Sequence, residues 1–99
     1  MIVRWHPDAK EEADLAAAFY KEQQLGLEQH FLDNLEEALH RLQQHPLLYR
    51  IVSPNIRKCK IKRFPLGIIF RTRADCIEII AIMHVRRKPG YWTKRTKDI

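Results

Sequence analysis

The stretch "IIFRTRADCIEIIAIMHV" (68–85) decides the fold, because it is rich in β-branched residues and is interrupted only at Ala74 and Asp75. Such runs are typical of buried β-strands, and a two-residue interruption is the length of a tight hairpin turn. The preceding "IRKCKIKRF" alternates basic and apolar residues over its middle part, as a strand with one exposed face does. We therefore predict three successive antiparallel strands, at 56–64, 68–73 and 76–85.

Upstream of Pro46 the apolar residues recur at helical spacing instead. Pro7 suits the first turn of a helix, and Leu25 and Gly26 separate two apolar series. The series predict two helices joined by a tight link, an αα-hairpin. Their members are Ala9, Ala13, Ala16, Ala17 and Tyr20, then Leu27, Phe31, Leu35, Ala38, Leu39 and Leu42.

The short run "IVRW" (2–5) at the start also has the composition of a strand. The order of elements is then β-α-α-β-β-β. This order predicts one domain over residues 1–99 of the α+β class, with the αα-hairpin packed on one face of an antiparallel sheet.

The net charge of +6 is unevenly distributed along the chain. Residues 1–45 contain four Lys/Arg and nine Asp/Glu, whereas residues 46–99 contain fourteen and three. A basic C-terminal half favours an anionic partner such as nucleic acid or an acidic protein. No apolar run approaches the roughly 20 residues that cross a bilayer, so we expect a cytoplasmic protein without a membrane partner. The two cysteines lack the spacing of a zinc site, so we expect no metal and no cofactor.

Pleat alternation predicts a basic surface on the sheet face that points away from the helices. A turn at Ala74 and Asp75 pairs Arg71 with Glu78 and Ile69 with Ile80, and the preceding hairpin pairs Lys62 with Ile69 and Lys60 with Arg71. The face predicted to be open carries Lys58, Lys60, Lys62, Arg71, Arg73, Glu78 and His84, with Ile69, Ile80 and Ile82 between them. This face is either an ordinary solvated surface or a binding surface whose exposed apolar stripe is covered by a partner.

The ending "HVRRKPGYW" (84–92) adds a titratable group to this surface. His84 next to arginines is suited to act as a neutral base or donor in an anion site, and alternatively it is a strand-end histidine held by a backbone contact. Pro89 and Gly90 turn the chain back. We expect Trp92 to anchor the tail on the fold rather than to stack on a base, and we leave both roles open for Tyr91.

Three stretches together resemble the RelE/ParE superfamily, the toxins of bacterial type II toxin–antitoxin modules, also called plasmid-stabilisation proteins. They are "HPDAKEEADLAAAFY", "KRFPLGIIFR" and "IIAIMHVRRKPGYW", which is similar to the family's strand ending in His-x-Arg-Arg-x-Pro-x-Tyr-Trp. The resemblance implies growth arrest, a cognate antitoxin and a toxin–antitoxin hetero-oligomer. RelE-like members cleave mRNA on the ribosome and are enzymes, while ParE-like members inhibit DNA gyrase.

The resemblance also implies candidate residues, which differ between the two branches. Related RNases that use a histidine carry a glutamate in the first strand after the helices, and "IRKCKIKRF" has no acid. The Arg-Arg-x-Pro ending resembles the ParE branch, so we favour a gyrase inhibitor over a ribosome-dependent endoribonuclease. The RelE-like alternative makes His84, Arg71, Arg86 and Tyr91 the catalytic candidates, with Lys58 and Lys60 beside them.

Binding roles are predicted from the same basic face. Target or nucleic-acid binding is expected at Lys58, Lys60, Lys62, Arg71, Arg73, Arg86 and Arg87. Antitoxin binding is expected at Ile69, Ile80, Ile82 and Arg71. A third interpretation is a plain nucleic-acid-binding domain, whose binding would weaken steeply with salt and whose expression would not arrest growth.

Overall fold

The computed structural model describes residues 1–98 as two helices and a five-stranded sheet. The sheet order is β1-β5-β4-β3-β2. Two short 3-10 turns complete the fold, at Pro46–Leu48 and Thr93–Lys97. The elements are β1 (Ile2–Trp5), α1 (Pro7–Gln23), α2 (Leu27–Gln44), β2 (Arg50–Ser53), β3 (Ile56–Lys60), β4 (Leu66–Arg73) and β5 (Cys76–His84).

The predicted α+β architecture is confirmed, but the sheet differs from the prediction in two respects. It contains an additional strand, β2, which pairs with β3 at one edge. It is also mixed rather than antiparallel, because β1 pairs in parallel with β5 at the other edge. The four strands that follow the helices form an antiparallel meander, and the last of them, β5, lies parallel to β1.

The αα-hairpin covers one face of the sheet, as predicted. The small side chains of Ala9 and Ala13 are buried, which brings α1 close to β5. In α2, Phe31 contacts Tyr20 and Phe64 through rings 5.3–5.4 Å apart. Aromatic pairs at such distances add about 0.5–1.5 kcal/mol beyond simple burial. The predicted apolar series therefore form the main core of the protein.

A β-bulge changes the orientation of the side chains in the second half of β5. The predicted pairs Arg71 with Glu78 and Phe70 with Ile79 are present, but Ile69 then pairs with Ala81 instead of Ile80. The extra residue reverses the alternation of the side chains. As a result Ile82 belongs to the core under the helices, and its predicted position on the opposite face is wrong.

The β3–β4 pairing also differs from the prediction. Lys60 pairs with Gly67 and Lys58 with Ile69, so the register lies four residues away from the predicted one. The reason is that β3 ends at Lys60, and the chain then turns so that Ile61 and Phe64 enter the core. Because the shift is even, Lys58 and Lys60 keep their predicted face. Lys62 lies beyond the strand.

Candidate functional site

The C-terminal tail (91–98) covers the second face of the sheet. Trp92 is only 4% exposed and packs with Ile69, Ile80 and Met83 in a second apolar cluster. The predicted open apolar stripe is therefore wrong for Ile69 and Ile80, which are buried under the chain's own tail. The prediction that Trp92 anchors the tail agrees with this packing. A partner can reach Ile80 only if the tail moves away.

Glu12 of α1 holds the tail in place. Its carboxylate accepts a hydrogen bond from the Tyr91 hydroxyl at 2.7 Å and two from the Arg95 guanidinium at 2.8 and 3.1 Å. Arg87 approaches the same carboxylate at 3.3 Å and stacks over the Tyr91 ring, 3.6 Å from its centroid. Because the Glu12 and Arg95 side chains are only 14% and 13% exposed, this ion pair is poorly screened by solvent.

The same two side chains, those of Glu12 and Arg95, form hydrogen bonds with backbone groups of β5 beyond the end of β1. Beyond Ile79 no strand pairs with β5 on this side in the described part of the chain. The Ile82 N–H donates to Glu12 at 3.0 Å, and the Ile80 carbonyl accepts from Arg95 at 3.1 Å. Backbone groups of this kind would otherwise be unpaired at a sheet edge. Glu12 therefore joins helix, sheet and tail.

Two further contacts fix the end of the tail. Buried His6 is the N-cap of α1, since its Nδ1 accepts the Asp8 N–H, and its Nε2–H donates to the Asp98 carboxylate at 3.0 Å. Arg71 donates to the Thr96 carbonyl at 2.8 Å. The tail is thus tied to the start of α1 and to the middle of β4.

Arg71 is a structural cation in this arrangement. The predicted pair with Glu78 is present, and both side chains are largely buried, at 11% and 4% exposure. Arg73 approaches the same carboxylate at 3.5 Å. The guanidinium of Arg71 is therefore held between Glu78 and the tail, and it does not lie on an open surface.

The exposed cations lie around the rim of the sheet. Lys60 and Arg86 are exposed, while Lys58 is half-buried against Gly67. Lys62 lies 3.8 Å from Glu37 of α2, so its predicted place on the second face of the sheet is wrong. Two of the predicted binding residues, Arg73 and Arg87, are more than half exposed even with their carboxylate contacts.

Comparison with known proteins identifies the family. The sequence model of the ParE toxin of the type II toxin–antitoxin system parDE matches residues 3–89. The chain belongs to the ParE toxin family. A solved structure described as the chromosomal ParDE toxin–antitoxin system from P. aeruginosa has the same fold, with a TM-score of 0.71 and 21% identity over 85% of this chain and 95% of that chain. No curated protein matches the sequence.

The catalytic candidates of the RelE-like alternative are engaged separately in this ParE-family chain. The Tyr91 hydroxyl is bonded to Glu12, and Arg71 is held by Glu78 and the tail. His84 accepts the backbone N–H of Arg86 at 3.0 Å through Nδ1, which is the backbone contact considered for it from the sequence. None of these four contacts joins the side chains of two candidates, since His84 bonds only the backbone of Arg86.

No described helix of the ParE-family chain is long and apolar enough to cross a membrane. Within residues 1–98, no three side chains of the metal-binding types lie close enough together to hold an ion.

Glu12 and Arg95 were not among the residues singled out from the sequence. A signal for Glu12 was present, because it lies three residues after Ala9 and one before Ala13, on the buried side of α1. A carboxylate at such a position requires a partner. Arg95 offered no comparable signal, since the tail has neither a helical nor a strand period.

Tyr91 gives this arrangement a pH dependence. Burial, together with the hydrogen bond and charge of Glu12, raises the pKa of Tyr91 above its usual value near 10. A raised folded-state pKa contributes stability that is present below about pH 10 and is lost as the pH rises further. We expect Tyr91→Phe to make the fall in unfolding free energy between about pH 9 and pH 11 shallower in urea titrations. An unchanged slope would contradict the assigned hydrogen bond.

Proposed function

We propose that this chain is the toxin of a type II toxin–antitoxin module and arrests growth by binding and inhibiting DNA gyrase. In this proposal a cognate antitoxin holds it inactive in a hetero-oligomeric complex. The observation that carries the proposal is the ParE family match over residues 3–89. Gyrase and the antitoxin are proposed as partners because of the family to which the chain belongs. The geometry of the site adds two supporting arguments.

The closed sheet face is the first supporting argument. Ribonuclease chemistry requires a base, an acid and cations that reach one phosphodiester. Here the tail covers Arg71, and the phenol of Tyr91 donates to a carboxylate while burial raises its pKa. A Tyr91 phenol in that environment is a poor proton source. The arrangement favours an inhibitor that binds its target over an enzyme that cuts RNA.

The exposed cations are the second supporting argument. The turn after β5 presents Arg86 and Lys88 to solvent, and Lys94 and Lys97 of the tail are also exposed. A surface of this charge is suited to an enzyme that holds DNA, because cations accelerate association with anionic partners and strengthen it at low salt. We assign target binding to this rim rather than to the covered centre of the sheet.

A supercoiling assay with purified gyrase tests the proposal. We expect the wild-type chain to inhibit supercoiling of relaxed plasmid, and Arg86→Glu to require about tenfold more protein, equivalent to about 1.4 kcal/mol of binding. Lys21→Glu, which reverses an exposed charge at the end of α1, is the matched control and should inhibit like the wild type. Undisturbed supercoiling at high concentrations of folded wild-type chain would refute gyrase as the target.

A further inference from the structure

Two cations face each other across strands β2 and β3. Arg50 pairs directly with Lys58, and Lys58 pairs in turn with Ile69 of β4, so the three side chains form one row on the tail side of the sheet. Like charges directly opposite one another destabilise a sheet. Neither cation has an ion pair or a side-chain hydrogen bond within residues 1–98. The fold therefore keeps an unfavourable pair of charges that no described carboxylate neutralises.

The stem of Lys58 is held against the sheet beside a glycine. A Cβ atom at Gly67 would lie 2.7 Å from Cε and 3.3 Å from Cγ of Lys58, so the missing side chain leaves room for this stem. A lysine stem that lies along a protein surface keeps its ammonium group in water at the edge of that surface. The position of the Lys58 ammonium is therefore set by packing and not by a charged partner.

A groove of about 570 Å³ lies beside these cations. Arg50 and Lys58 line it together with apolar side chains that include Ile69, Met83 and Trp92, and no Asp or Glu of residues 1–98 lines it. Sites for small organic ligands have volumes of about 300–1,000 Å³ and combine an apolar lining with a few placed polar groups. The groove has the size and the lining of such a site.

Trp92, which lines the groove, has a donor without an acceptor. The residue is only 4% exposed, and its buried indole N–H has no hydrogen-bond partner in the described part of the chain. Leaving a buried donor without an acceptor is costly. A ligand that brought an oxygen atom to this N–H would recover that cost.

The surrounding charge and the lining select the kind of ligand. Residues 46–74 contain eight Lys/Arg and no Asp/Glu, so an anion is attracted. A second copy of the chain would bring the same cations and would be repelled. The lining is aliphatic apart from Trp92, which suits an aliphatic body better than the polar surface of a nucleic acid.

We propose that this groove binds a small amphipathic anion, a carboxylate or a phosphate monoester on an aliphatic body. The oxyanion lies between Arg50, whose guanidinium can donate two parallel hydrogen bonds, and the Lys58 ammonium. The aliphatic body lies on Ile69, Met83 and Trp92. Arg86, which is proposed to bind the target, does not line the groove, so this site goes beyond the proposed function and does not depend on it.

NMR of the purified chain titrated with octanoate tests the proposal. The chain has two tryptophans, so the indole N–H of Trp92 reports on the groove and that of Trp5 is an internal control. We expect octanoate to shift the Trp92 indole signal saturably and to leave the Trp5 signal in place. Inorganic phosphate and 1-octanol, which represent the charge and the body alone, should each bind about tenfold more weakly or worse. Octyl phosphate, titrated in parallel, identifies the preferred head group.

Two variants test the part played by Lys58. Lys58→Met removes the charge and keeps a side chain of similar length, and it should weaken octanoate binding about tenfold. Gly67→Ala displaces the Lys58 stem without changing any charge, and it should also weaken binding. Lys21→Met, at an exposed position near the end of α1, is the matched control and should bind octanoate like the wild type.

Three outcomes would overturn the site. The first is a Trp92 signal that octanoate and octyl phosphate leave in place. The second is equal binding of octanoate by Lys58→Met and the wild type, or equal binding of 1-octanol and octanoate, because the cations would then not recognise the ligand. The third is a Trp92 signal that moves with protein concentration alone, which would place a second copy of the chain in the groove.

Discussion

Glu12→Ala is expected to lower the unfolding free energy by about 3 kcal/mol, because the change leaves the Arg95 guanidinium largely buried without its carboxylate. The variant also removes the acceptors of the Ile82 N–H and the Tyr91 hydroxyl. For a domain of about 100 residues, this loss lowers the melting temperature by more than about 10 °C. Urea and thermal unfolding measure both quantities.

Glu11→Ala is the matched control for this prediction. Glu11 is exposed on the adjacent position of α1, and its replacement should change the unfolding free energy by less than about 0.5 kcal/mol. If Glu12→Ala were as mild as Glu11→Ala, the carboxylate would not hold the tail. The closed sheet face would then lack its main polar support.

Trp92→Ala is expected to cost about 3–5 kcal/mol, the range for removing a buried aromatic side chain. The indole fills the space between the tail and the sheet, so its loss opens the apolar cluster around Ile80. We expect the variant to bind a hydrophobic dye that the wild type does not bind. Since small domains have only about 5–15 kcal/mol of stability, part of the population should be unfolded at 37 °C.

Leu25→Ala serves as the control for Trp92, because the Leu25 side chain is 99% exposed and touches no core cluster. It should leave both stability and dye binding unchanged. A Trp92→Ala variant as stable as Leu25→Ala would mean that the tail does not pack on the sheet. The sheet face would then be open, as the RelE-like interpretation requires.

Local pattern was sufficient to predict the first strand, the two helices and the last hairpin, in their order along the chain. The spacing of apolar residues in α1 and α2 specifies which side faces the sheet, and the two-residue turn at Ala74 and Asp75 specifies the first pairs of β4 with β5. The ion pair of Arg71 with Glu78 followed from that register. These features depend on residues close together in the sequence.

The remaining features depend on contacts that the sequence pattern does not encode. The bulge at Ile80 places one extra residue in β5, and no glycine or proline marks it. β2 has only four residues, and its two apolar residues, Ile51 and Val52, are adjacent. The sequence there shows no alternation of apolar and polar residues, so no strand was predicted. The tail has no period, and its position depends on partners as distant in sequence as Glu12 and His6.

The covered sheet face explains why the site prediction was only partly correct. The basic residues of β3 and β4 were expected to converge on an open surface, but the tail occupies its centre and Glu78 takes up Arg71. Other predicted cations stay accessible away from this centre, at Lys60, Lys62, Arg73, Arg86 and Arg87. We therefore propose the exposed turn after β5, where Arg86 lies, as the place of target binding.

The central claim is that this chain is a toxin that binds its target and does not cleave RNA. The most direct test is to map mRNA 5′ ends in cells soon after the chain is induced without its antitoxin. We expect growth arrest with intact messages, for the wild type and for His84→Ala alike. New in-frame cuts within codons that appear with the wild type and disappear with His84→Ala would contradict the account. Such cuts would show that the chain is a ribosome-dependent endoribonuclease.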